Sequence, residues 1–124
     1  YYYIYYTELP HIKHTIMSVI YDFNMNSPED ILRELSVNLK KRRLEKNLSR
    51  KTLSELSGVP VPTIAKFESV GKISLESYVA LCKALGYTAE VKALLSEPKY
   101  STMQELDTIN RNKDRKRGRY EIDK

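Results

Sequence analysis

The sequence predicts an all-α protein: a five-helix domain with a leader before it and a basic, partly helical tail after it. Three observations predict it. Apolar residues recur at helical spacing through the central part of the chain. Ser27, Ser49, Ser74 and Thr88 each stand just before such a segment, where a hydroxyl caps a helix. Gly58, Gly71 and Gly86 fall where segments stop, as a left-handed terminal residue requires.

The elements follow in order. Residues 1–27 form a leader unlike the rest, opening on the tyrosine-rich run Tyr1-Tyr2-Tyr3-Ile4-Tyr5-Tyr6. Two readings stand for it: a poorly ordered terminus, or a short extended segment, since aromatic and β-branched residues favour strands. Met17 and Met25 are candidate natural starts. The first helix has Ser27 as its cap, Pro28 at its first position and Asp30 in its first turn. Leu32, Leu35 and Leu39 follow at helical spacing, and Lys40, Lys41, Arg42 and Arg43 close the element near Lys46, where cations suit the helix dipole. The second helix starts at Ser49, turns Leu53 and Leu56 inward and ends at Gly58. The third runs from Val61 to about Ser69, with Ile64 and Phe67 buried. The fourth is capped by Ser74, and Leu75, Tyr78, Val79, Cys82 and Leu85 make one apolar core stripe. Thr88 opens a short fifth helix bearing Val91, Leu94 and Leu95, which Pro98 ends. Thr102-Met103-Gln104-Glu105 has the form of a capping box and opens a last helix toward Lys116. That helix is thinly apolar (Met103, Leu106, Ile109) and needs a partner to stay folded. Disorder is expected beyond Gly118. The domains are thus 1–27, 28–97 and 98–124.

A chain of 124 residues is about one domain with one modest core. The formal charge is +5, from 21 Lys and Arg against 16 Asp and Glu, which suggests a polyanionic partner. The single cysteine, Cys82, excludes an intrachain disulfide and fits a reducing compartment. No apolar run has the length of a membrane span, and no signal peptide is visible. A soluble cytoplasmic protein without a membrane partner is expected.

Residues 49–68 carry the functional signal. Two short helices joined through a glycine and a tight turn form a helix-turn-helix. Small Ser54 sits where the two helices approach, Gly58 permits the turn, Val59 plugs its inside, and Ile64 and Phe67 anchor the second helix.

This segment resembles the phage-repressor and Cro-like family of helix-turn-helix domains, also called the xenobiotic response element family. The resemblance spans roughly residues 35–95. It includes Gly71-Lys72-Ile73-Ser74-Leu75-Glu76 and Leu81-Cys82-Lys83-Ala84-Leu85-Gly86, which are similar to the family's fourth helix. It implies a repressor-like DNA-binding domain whose recognition helix, residues 61–69, enters the major groove. It implies that Arg43 pairs with Glu68, the glutamate ending that helix. Arg50 stands where the family usually has a glutamine touching the DNA backbone and is expected at phosphate, and Lys51 beside it is a further DNA-binding candidate. Val61, Pro62, Thr63 and Lys66 are placed on the outer face. Lys66 is the candidate donor to guanine, and Val61 packs on a thymine methyl. Ser69 and Lys72 are expected to reach phosphate, which sets register while base contacts set sequence. The opening Pro60-Val61-Pro62 departs from the family's polar residues and removes backbone donors, so either sequence preference rests on few contacts and on DNA shape or the domain alone binds DNA weakly.

Arg111, Lys113, Arg115, Lys116, Arg117 and Arg119 form a basic tail, read either as an electrostatic arm for nucleic acid or as a solvated helix end. His11 and His14 are three apart without further ligands nearby, and no nucleophile, acid and base converge, so neither metal, cofactor nor enzymatic activity is expected. The leading function is a sequence-specific transcriptional regulator of double-stranded DNA, a repressor acting as a homodimer; Val91, Leu94 and Leu95 are either its pairing surface or core. The alternative is an antitoxin that binds a toxin protein and represses its own operon, with residues 99–117 as the docking element. An RNA-binding or coactivator role ranks third.

Overall fold

A computed structural model describes residues 26–119. Its helices are α1 (Pro28–Glu45), α2 (Arg50–Ser57), α3 (Val61–Val70), α4 (Leu75–Ala84), α5 (Thr88–Ala93) and α6 (Met103–Asn112). The described residues contain no strand. The readings made for residues 1–25, including the tyrosine run, the two histidines and both early methionines, lie outside the described residues, as does the stretch after Arg119. The contacts divide the chain after Thr88 into two units.

Local chemistry builds the first unit. The Ser27 hydroxyl accepts from Asp30 N at 3.1 Å and the Asp30 carboxylate accepts from Ser27 N at 3.4 Å, a reciprocal capping box at the start of α1. Ser49 accepts from Thr52 N at 3.0 Å to start α2. Ser74 accepts from Ser77 N at 3.1 Å to start α4. α3 has no side-chain cap, and Pro62 in its first turn leaves one fewer donor to satisfy. α1 packs on α3, α2 on α3, and α4 on α2.

The core consists of Leu39, Leu53, Val59, Ile64, Phe67, Leu81 and Leu85. Phe67 meets Tyr78 edge-on, with centroids 5.5 Å apart, a favoured aromatic geometry. Three expectations are corrected. Leu56 is 60% exposed, whereas Leu53 is completely buried. At about 100° per residue, Leu56 lies well around the helix from the face shared by Leu53, Ser54 and Ser57. Leu75 and Val79 are likewise exposed, at 77% and 38%. The buried face of α4 is centred on Tyr78, Leu81, Cys82 and Leu85, and Val79 falls about 100° from Tyr78. Leu81, absent from the expected stripe, is fully buried.

Gly58 and Gly71 share a left-handed conformation, with φ 76° and 75°. A methyl at Gly58 would meet nothing within 4 Å, but at Gly71 it would meet Arg33 N at 3.2 Å and Leu32 C at 3.3 Å, both backbone atoms of α1. Gly71→Ala should therefore cost roughly 2–3 kcal/mol and Gly58→Ala about 1–2 kcal/mol, the latter from conformational strain alone. Thermal melting distinguishes them; equal losses would contradict the crowding at Gly71.

The second unit begins at Ala89. α5 stops at Ala93, earlier than Pro98 suggested. Short-range bonds from Leu94 N to Val91 O and from Ser96 N to Ala93 O close the helix, and Leu95 takes φ 58°. Leu94 and Leu95 therefore sit in a turn, 70% and 102% exposed. Thr102 caps α6 by accepting from Glu105 N at 3.1 Å, but Glu105 reaches back to Ser101 N at 2.8 Å, one residue before the expected partner. α6 ends at Asn112, short of Lys116. Its residues Leu106 and Ile109 are half-buried, and Met103 is exposed.

Candidate nucleic-acid interface

Gly58, Val59 and Pro60 alone link α2 to α3. Val59 is buried inside the turn and donates its N–H to Ser57 Oγ at 3.1 Å. Ile64 and Phe67 bind the inner face of α3 to the core. The outer face is thereby turned to solvent: Val61, Pro62, Lys66 and Ser69 are exposed and Thr63 is half-buried. Lys72, just past the helix, and Lys51, on the first turn of α2, are also exposed. None of the three lysines has an ion-pair partner among the described residues. Ser69 Oγ donates back to Lys66 O at 3.1 Å. Neither α2 nor α3 has an acidic residue of its own in its first turn.

An ionic cluster braces this face from behind. Glu68, whose side chain is 1% exposed, accepts from Arg43 Nε at 2.8 Å and Arg43 Nη2 at 2.9 Å. Arg43 also donates from Nη1 to Leu48 O at 2.8 Å, which ties down the α1–α2 turn. A third bond to Glu68 comes from Arg50 Nε at 3.0 Å. Burial alone would raise the Glu68 carboxyl; the hydrogen bonds from Arg43 and Arg50, with their charges, outweigh it and hold the pKa below its ordinary 4.5. The Arg50 bond was not foreseen in the sequence, where Arg50 was assigned to phosphate only. One signal was present: a cation at the first position of a helix opposes the dipole and calls for a nearby carboxylate.

Cys82 is buried on the core side of α4, where burial pushes its thiol pKa up. Tyr78 is pushed up to about 12, by burial first and then by its contact with Cys82. Both stay neutral near pH 7 and serve packing. In the second unit, all six cations of the basic tail are exposed: Arg111 lies in the last turn of α6, and Lys113, Arg115, Lys116, Arg117 and Arg119 follow it. Arg111 donates to Thr108 Oγ1, and Arg115 to Asn112 Oδ1.

The helix-turn-helix family matches this chain over residues 39–92. That segment is a helix-turn-helix domain of the Cro/C1 type. It takes in the end of α1, all of α2 to α4 and nearly all of α5, and it leaves α6 and the basic tail outside. No curated protein and no solved structure matches the chain. The helix-turn-helix family supports binding of double-stranded DNA in transcription regulation. No described helix is long and apolar enough to cross a membrane.

Proposed function

We propose that this helix-turn-helix protein is a transcriptional repressor that lays α3 in the major groove of duplex DNA. The observation that carries the reading is the outward face of α3, with Lys66 exposed and without an ion-pair partner among the described residues, between the buried anchors Ile64 and Phe67. Lys66 donates to the O6/N7 edge of guanine, and Val61, 37% exposed, packs on a thymine methyl. Pro62 and Thr63 line the same face. Lys51, Ser69 and Lys72 hold phosphates on either side of the groove. The cations from Arg111 to Arg119 add sequence-independent attraction. As a homodimer the protein places its two α3 helices about 34 Å apart, one turn of DNA.

Selection of bound sequences from random duplex DNA tests this reading. A recovered motif with half-sites one helical turn apart is expected. Lys66→Ala should cost about 1–3 kcal/mol on the selected site and relax preference at one base pair, with little loss on unrelated DNA. Recovery of no motif, or an equal loss on every sequence, would contradict base reading by Lys66.

A second reading is favoured by α6, in which no residue is buried although Met103, Leu106 and Ile109 share an apolar side. Such a face suits an antitoxin that folds a partner-docking segment onto a toxin protein and represses its own operon. Co-expression with the product of the adjacent reading frame tests it; a stable complex that Met103→Asp disrupts is the expected result.

A further inference from the structure

We propose that Glu68 is a positioning residue for DNA binding, which holds Arg50 by Nε so that its Nη1 and Nη2 atoms face a backbone phosphate. The inference rests on the DNA-binding reading and adds a preset contact to it.

The carboxylate is already neutralised without Arg50. Arg43 meets it in a two-point fork, at 2.8 and 2.9 Å, with both side chains almost wholly buried. Arg50 is thus a second guanidinium on one buried carboxylate, and it leaves the cluster with an excess positive charge. As a structural device this is a poor investment. The Arg50 side chain is 41% exposed, so solvent screens part of its attraction to Glu68. It also stands at the first position of α2, where the helix dipole opposes a cation.

The atoms used explain the arrangement. Arginine offers five N–H donors in a rigid plane. Arg50 spends only the one on Nε, and Nη1 and Nη2 have no partner among the described residues. That free edge is the fork which matches two phosphate oxygens. Gripping the guanidinium at Nε fixes the side chain before DNA arrives and lowers the ordering cost of the contact. The Glu68 carboxylate, on a side chain 1% exposed, is too buried to meet DNA itself and acts through Arg50. A lysine could not do the same: its single ammonium group is a point charge without a second edge.

The test is titration of the full chain against a random-sequence duplex over a range of salt, with melting curves for every variant. Arg50→Ala should weaken binding about tenfold or more, as loss of a charged hydrogen bond does, and reduce the salt slope by about 0.9. Arg50→Lys keeps the charge but should bind closer to Arg50→Ala than to the unaltered protein, while melting like it. In an Arg43→Met, Glu68→Leu background, where no oxygen remains to hold Nε and no buried charge is left unpaired, Arg50→Ala should cost clearly less than tenfold. Wild-type affinity in Arg50→Lys overturns the proposal, as does an undiminished cost in the Arg43→Met, Glu68→Leu background. If that double variant does not fold, the lysine variant decides alone. Failure of the unaltered protein to bind duplex DNA even at low salt would remove the DNA-binding reading, and this inference with it.

Discussion

Arg43→Ala should lower stability by about 3 kcal/mol, which for a domain of this size is a drop of more than roughly 10 °C in melting temperature. The reason is the charge left behind. The Glu68 side chain is 1% exposed and among the described residues would keep the single bond from Arg50 Nε, and an uncompensated buried carboxylate is costly. Leu48 O would also lose its donor. The value lies at the low end for a broken buried pair because Arg50 remains. Acid should shrink the deficit. In the unaltered protein the Glu68 pKa lies below 4.5, so its stabilising contribution is complete above the ordinary carboxyl value and is lost as pH falls through the lowered folded pKa. In Arg43→Ala that pKa moves up, because burial then faces weaker opposition, and protonation relieves the variant at higher pH than the unaltered protein. Melting curves at neutral and acidic pH should therefore converge. Melting temperatures within 2 °C or so at neutral pH would refute the brace. Replacing both partners together, Arg43→Met with Glu68→Leu, should cost less than Arg43→Ala, since no buried charge then remains.

Phe67→Ala should cost about 4 kcal/mol and abolish DNA binding by unfolding the domain. Phe67 is fully buried with Leu53, Ile64 and Leu81, and its ring meets Tyr78 from α4. It lies in α3 directly between Lys66 and Glu68. One side chain thus joins the core to both the proposed reading face and the ionic brace, and its removal leaves a cavity where α3 is anchored. Leu75→Ala is the control. Leu75 was also placed in the core by its spacing, yet it is 77% exposed, and its loss should stay within about 0.5 kcal/mol. A chemical denaturation series on both variants measures the contrast, and comparable losses would mean that the burial described for α3 and α4 is wrong.

Much of the fold was readable from residues a few positions apart. Ser27, Ser49 and Ser74 cap helices because each hydroxyl reaches an N–H three residues on. Gly58 and Gly71 end helices because they adopt positive φ. Ile64 and Phe67 were recognisable as anchors because they are the two largest apolar residues of a short helix and share one face of it. The motif at 49–68 followed from these local facts, and so did the family resemblance that the match over 39–92 supports. The outward placement of Lys66 followed as well, since an anchored inner face leaves its opposite to solvent.

Other features depended on how the helices were rotated against one another. Leu56, Leu75 and Val79 have the chemistry and spacing of core residues, and only the packing of α2 and α4 leaves them exposed while drawing Leu81 inside. The ends of α5 and α6 were set by turn hydrogen bonds and not by the more distant Pro98 or Lys116. Arg50 and Glu68 are 18 residues apart, and no local rule joins them. Helix starts and stops belong to the sequence because their interactions span three or four residues. The azimuth of each helix, and with it the company a charged group keeps, belongs to the tertiary structure, because it is set by close packing among segments distant in the chain.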